Sequence, residues 1–259
     1  MNAIIDNADK LKKYSIFNKA GSFSYANILQ TARDFERVKN VILPEDEYKG
    51  VQAYTTYYYQ YFFTMLVMMF VIYDMFAQRD NGMWSITYSC ANGRIMYAIK
   101  QTGVIVVTGA FTHTLIYWST FIAAMLQRGG VRDLVNPVQT IETFDKFTYP
   151  WSKIKYVTVL YMISMVCIVA LCITIWGVFV IFRNRVYALV TMLIFAAVEQ
   201  FIYSHIDIHS VWNGLHYINI INIININATF SSYRNWGVGT YVFPVFSVVL
   251  FVHIICAGV

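Results

Sequence analysis

Residues capable of chemistry gather in two places. The first holds Glu199, His205, Asp207, His209 and His216. His205 and His209 are four apart, so a helix sets both on one face, the spacing that zinc or iron ligands need. With Glu199 they would hold a metal and activate water, as in a membrane-bound metal-dependent enzyme. Three features weigh against that reading: the chain has no H-E-x-x-H, Asp207 points away from both histidines on a helix, and Glu199 stands more than one turn from His205. The plainer reading is a set of polar residues at a membrane surface with one acid at a helix end. His113 lies alone inside an apolar run. Intramembrane ionisable groups are functional candidates by default, so His113 and Glu199 are candidates for a translocation path. The plainer alternatives are a histidine satisfied by a neighbouring carbonyl and a glutamate hydrated near the interface.

The second place is the stretch 78–100, with Asp80, Gly82, Gly93, Arg94 and Lys100. The glycines let a short connector turn sharply. Arg94 and Lys100 would meet acidic groups or helix-end carbonyls of a partner protein, or anionic lipid headgroups. No G-x-x-x-x-G-K-[ST] loop is present to cradle phosphates, and Gly129-Gly130 is followed by no Lys-Ser. The cysteines Cys90, Cys167, Cys172 and Cys256 form no C-x-x-C, and three of them sit in apolar runs, as small packing residues do. Asn227-Ala228-Thr229 fits a glycosylation sequon, a match that chance often supplies.

The elements that must position these residues are membrane helices. Of the 259 residues 58% are hydrophobic and only 13% charged, against about 25% charged in a soluble domain. The net charge of +5 is carried by basic residues flanking apolar runs, without the interleaved aromatics of a nucleic-acid groove. We read residues 1–50 as a small exposed segment, with Ser24 capping a helix over Tyr25–Lys39 and Pro44-Glu45-Asp46-Glu47 starting another. Residues 51–259 form an all-α transmembrane domain of five full spans: Tyr54–Ala77, Gly103–Leu126, Tyr156–Phe182, Val186–Tyr203 and Trp236–Val259. Gln78–Lys100 is an amphipathic connector of one or two short helices, and Gln127–Lys155 is a loop. Residues 204–235 are too polar to face lipid and form short re-entrant or interfacial helices. Basic residues tie across the two sides: Arg79, Arg94, Lys100, Arg183 and Arg185 stand against Arg128, Arg132, Lys146, Lys153 and Lys155. The turns of the first side are shorter and denser in charge, which favours them as cytoplasmic.

A span ending in a charged cluster, then Gly82, then Gly93-Arg94, then Lys100 and a new span, resembles the permease subunits of bacterial ABC exporters of the second permease class. Residues 216–227, HYINIINIININ, leading to Tyr233 and Trp236, are similar to the interrupted segment before that family's last span. The likeness covers roughly residues 50–259, with Asp80 where the family usually carries a glutamate. It implies that 78–100 is a cytoplasmic coupling helix docked on a separate ATPase subunit. ATP would then be bound by that partner and no cofactor by this chain. A second permease copy or homologue would complete the path, and the chain would sit in the cell membrane with 1–50 and 127–155 outside. The family usually has six spans, so the resemblance also implies an N-terminally truncated fragment. Three readings stand: exporter permease, metal-dependent enzyme, and a truncated permease unable to transport.

Overall fold

The computed structural model describes residues 21–44, 49–56, 60–89, 93–182, 184–206, 219–221, 226–231, 233–238 and 241–245, with single positions 7, 10, 11 and 251. The helices are α1 (Phe23–Glu36), α2 (Gly50–Thr56), α3 (Gln60–Met75), α4 (Ala77–Asp80), α5 (Met83–Ser89), α6 (Gly93–Arg128), α7 (Lys153–Ile181), α8 (Arg185–His205) and α9 (Ile226–Ser231). Short 3-10 turns at Arg132–Val135, Val138–Thr140 and Glu142–Phe144 occupy the α6–α7 loop. Strands β1 (Asn235–Val238) and β2 (Tyr241–Pro244) pair antiparallel, with Val238 opposite Tyr241. Among the described residues four segments are long and apolar enough to cross a membrane: Gln60–Arg79, Gly93–Arg128, Lys153–Ile181 and Arg185–His205. At about 1.5 Å per residue, each matches or exceeds a hydrocarbon core of about 30 Å.

The chain divides into two units, and α6 and α7 contribute residues to both. The first unit holds residues 1–55, 124–160 and 225–252. Its α1 is capped by Ser22, whose hydroxyl accepts from the Tyr25 amide at 3.2 Å. The expected cap, Ser24, lies inside the helix instead, since Ser22 already takes the first orphan amide. Phe144, Phe147, Tyr156 and Phe230 pack edge to face, with centroids 5.0 to 6.3 Å apart. Asn227 is buried in the same unit; its Nδ2 donates to the Thr55 carbonyl and its Oδ1 accepts from the Tyr156 hydroxyl at 2.6 Å. The sequon asparagine is thus a packing residue with its amide engaged. Tyr233 donates to Asp34 at 2.9 Å. Burial, with the Asp34 charge adding to it, pushes the Tyr233 phenol up to about 12.

The hairpin corrects two expectations. The fold is helical but not all-α, and no span begins at Trp236, because 235–238 and 241–244 are strands. Tyr241 and Phe243 are exposed while Val242 and Pro244 are half-buried, a period of two that a helix cannot use. The rest of the expected fifth span, 246–250 and 252–259, lies outside the described residues, as do Glu45, Asp46 and Glu47 of the expected second helix start.

The second unit holds residues 56–123, 161–224 and 253–259. Its core is a seam of Met65, Met68, Met69 and Ile72 from α3, and Phe76 just after it, against Ile168, Leu171, Cys172, Ile175 and Phe179 of α7, with Ala188 and Met192 from α8. Phe63, Val67 and Phe70 on the other side of α3 are exposed, as are Val107, Phe111 and Leu115 on α6. Helices that are apolar on every face belong in lipid. Gly109 brings α6 close to α7: a Cβ there would stand 2.7 Å from Cys172 Sγ.

Candidate functional site

Gln78–Lys100 folds as α4, a turn at Gly82, α5, and then the first two turns of α6. Gly82 has φ +75, the left-handed region where a Cβ is costly, so the glycine expected to turn the chain does so. The other end differs from expectation. No break separates Lys100 from the second span, because α6 runs unbroken for 36 residues from Gly93. No proline falls between Gly93 and Arg128, so the helix runs on across what hydropathy reads as a boundary. Arg94 and Lys100 therefore ride on the spanning helix itself, and both are exposed.

Arg79 holds this connector in place, a role the sequence did not single out. Its Nη1 donates to the carbonyls of Phe179, in the last turn of α7, and Phe182, the residue after it, at 3.0 and 2.8 Å. The guanidinium lies 4.8 Å from the Phe76 ring and 5.7 Å from that of Trp84. A cation at a helix C-terminus meets the negative end of the dipole and takes carbonyls that have no intrahelical partner. A second chain of contacts runs from Gln78 to the Tyr97 hydroxyl (3.4 Å), from Tyr97 to Gln101 (3.4 Å), and from Gln101 to Trp176 Nε1 (3.3 Å). Arg185, at the start of α8, sits 4.6 Å from the Tyr73 ring. This end of the second unit thus collects Arg79, Arg94, Lys100 and Arg185. Ser85, Ile86, Ser89, Ile95, Met96 and Ile99 are exposed on it. Asp80 falls at the last position of α4; its side chain and residue Arg183 lie outside the described residues.

His113 is buried between α6 and α7. Its Nε2 is 2.9 Å from Ser164 Oγ, and its ring stacks on Tyr161 at 6.2 Å and 2°. Ser164 gives its own proton to the Tyr161 carbonyl, so the histidine is assigned as the Nε2–H tautomer donating to Oγ. Nδ1 is buried with no hydrogen-bond partner. The expected neighbouring carbonyl is replaced by a serine hydroxyl.

Glu199 is half-buried near the end of α8. Its Oε2 accepts the Ile220 amide at 2.8 Å, and its backbone carbonyl accepts from Asn219 Nδ2 at 2.7 Å. It therefore ties the short segment 219–221 to α8. The same residue lines a cavity of about 300 Å³ walled by α3, α7, α8, Ile220 and Ile221; His113 is not among its lining residues. Glu199→Ala is expected to leave the Ile220 amide unpaired and to destabilise the segment by about 1–3 kcal/mol, with Glu199→Gln milder because it keeps an acceptor. Hydrogen exchange at 219–221 would read this as faster exchange in the alanine variant than in the glutamine one.

His205 is exposed at the end of α8, its Nδ1 against Ser204 Oγ and the Phe201 carbonyl and its ring 4.3 Å from Phe201. Asp207, His209 and His216 lie outside the described residues. Among the described residues no group of three or more His, Cys, Asp or Glu is placed to hold a metal ion, and Glu199 is engaged with Ile220.

These features define a helical membrane protein with a folded, base-rich connector at one end of its second unit. No protein-family model, curated protein or solved structure matches the chain.

Proposed function

We propose that the chain is the permease subunit of an ATP-driven exporter, bearing on a separate ATPase through residues 78–100 and forming its path with a second permease in the cell membrane. The observation that carries this reading is the way Arg79 welds α4 and α5 to the end of α7. A connector held by its neighbours can pass a displacement on to the spans, whereas a loose one absorbs it. Its outer surface mixes exposed Ile86, Ile95 and Ile99 with Arg94 and Lys100, the composition of a protein contact with an apolar centre and a charged rim. Asp80, Gly82 and Gly93 shape that surface; Arg94 and Lys100 are the groups that meet acidic partner residues. No reaction is assigned to this chain.

The test is to purify the complex that the tagged full chain retains and measure its ATP hydrolysis and the movement of solute it drives. Arg94→Glu should reduce transport-coupled hydrolysis by about tenfold, the loss expected for reversing one charge at a desolvated contact. Gly82→Val, which forces a branched residue to φ +75, should act in the same direction. Unchanged coupling in both variants, with normal membrane insertion, rules the connector out. Stoichiometric zinc or iron in the purified protein, lost on His205→Ala, would favour the enzyme reading instead.

A further inference from the structure

The cavity beside Glu199 belongs to a single chain and stands apart from the connector. We propose that it binds the apolar tail of a cationic amphiphile, an alkyl chain ending in an ammonium group, with Glu199 as the counter-charge. Its volume of about 300 Å³ is at the small end of ligand pockets, and Met65, Leu66, Leu171 and Ala196 make its walls hydrocarbon. Phe62 and Leu193 at its edge are 40% and 45% exposed on helices that span the bilayer, so a chain dissolved in lipid enters there. Among the described lining residues Glu199 is the one acid, and none is Lys, Arg or His. Among the described residues a phosphate or carboxylate head finds no counter-ion in this site, whereas an ammonium does, which favours a cationic amphiphile over an anionic one.

Glu199 retains the capacity for this. Its Oε2 takes the Ile220 amide, and an ionised carboxylate offers about four acceptor positions, so an ammonium is accommodated without breaking that bond. The residue also stands at a suitable depth. It lies six positions before His205 ends α8, roughly 9 Å along the axis, close enough to the boundary for a charged head while the tail lies among α3, α7 and α8. The inference holds whether or not the chain serves an exporter.

The experiment is scintillation-proximity binding of radiolabelled decylammonium to the full chain in phosphatidylcholine nanodiscs, competed by unlabelled decanol, decanoate and phosphatidylethanolamine. Decylammonium is expected to bind at least about tenfold more tightly than the neutral or anionic chain, the margin that one charge-assisted contact supplies. Glu199→Gln should abolish that margin while keeping an acceptor for Ile220. Gln200→Lys, which neutralises the carboxylate from a neighbouring lining position and leaves Glu199 in place, should do the same. Ala196→Trp should remove binding by filling the space. Equal competition by decanol, displacement by phosphatidylethanolamine at matched concentration, or undiminished binding in Gln200→Lys and Ala196→Trp would each overturn the proposal.

Discussion

Arg79→Ala is expected to release the connector from the end of α7 and cost about 3–6 kcal/mol. Two bonds from a charged donor to the Phe179 and Phe182 carbonyls are lost, each worth about 1.5–3 kcal/mol, and the bared carbonyls lose their acceptor role at a half-buried site. The stacking of the guanidinium over Phe76 and Trp84 goes with them. Arg79→Lys should recover only part of the loss, because one ammonium on a flexible stem does not reproduce a planar fork lying on two rings. The measurement is thermal unfolding in detergent alongside labelling of Ser85→Cys, an exposed position on α5. The alanine variant should unfold earlier, and proteolysis between α4 and α6 should accelerate. An unchanged melting temperature would mean that Gln78, Tyr97 and Gln101 hold the connector without the arginine.

The second large effect concerns Gly109. Gly109→Ala places a Cβ at 2.7 Å from Cys172 Sγ, well inside contact distance, and should cost about 1–3 kcal/mol by overpacking the α6–α7 contact. The distance from the same Cβ to Cys172 Cβ is 3.7 Å, an ordinary contact. Cys172→Ala therefore removes the colliding atom and no more, and the double variant should regain most of the lost stability. Cys172→Ala alone should be mildly destabilising through a small cavity. Additive losses in the double variant would show that the helices adjust elsewhere and that the close approach is not what Gly109 provides.

The parts of the structure legible in the sequence are those set by long apolar runs. Tyr156–Phe182 was expected and α7 covers Lys153–Ile181; Val186–Tyr203 was expected and α8 covers Arg185–His205. Hydropathy sums over many residues, so single exceptions do not disturb it. It misplaced the start of α6 because amphipathic helix and apolar helix join without a backbone signal, and Gly93 rather than Gly103 is the first residue. It misread Trp236–Pro244 because the strongly apolar sequence 245–259 that follows raised the mean hydropathy of the whole run; the cue lay in the period of two and in Gly239 between the runs. For the candidate site, Gly82 was readable from glycine's freedom at positive φ. Arg79 was not, since its acceptors lie 100 and 103 residues further on, and no local pattern encodes so distant a cap. Glu199 stood out in the sequence as an acid inside an apolar run, but its bond to Ile220 depends on a fold that the Ile/Asn stretch does not announce.

Methionines face the seam from the α3 and α8 sides, with Met65, Met68 and Met69 on α3 and Met192 on α8, opposite Ile168, Leu171 and Ile175 of α7. Thioether side chains are unbranched and turn about three bonds, so they refill a gap after a displacement at little cost, where interlocked isoleucines would resist. A bearing surfaced this way opposes separation of the helices and tolerates lengthwise slip of an ångström or two, the shear that packed helices show when a protein changes state. Mobility in this molecule is then expected along the helix axes, through the greased face of α3, rather than at a hinge.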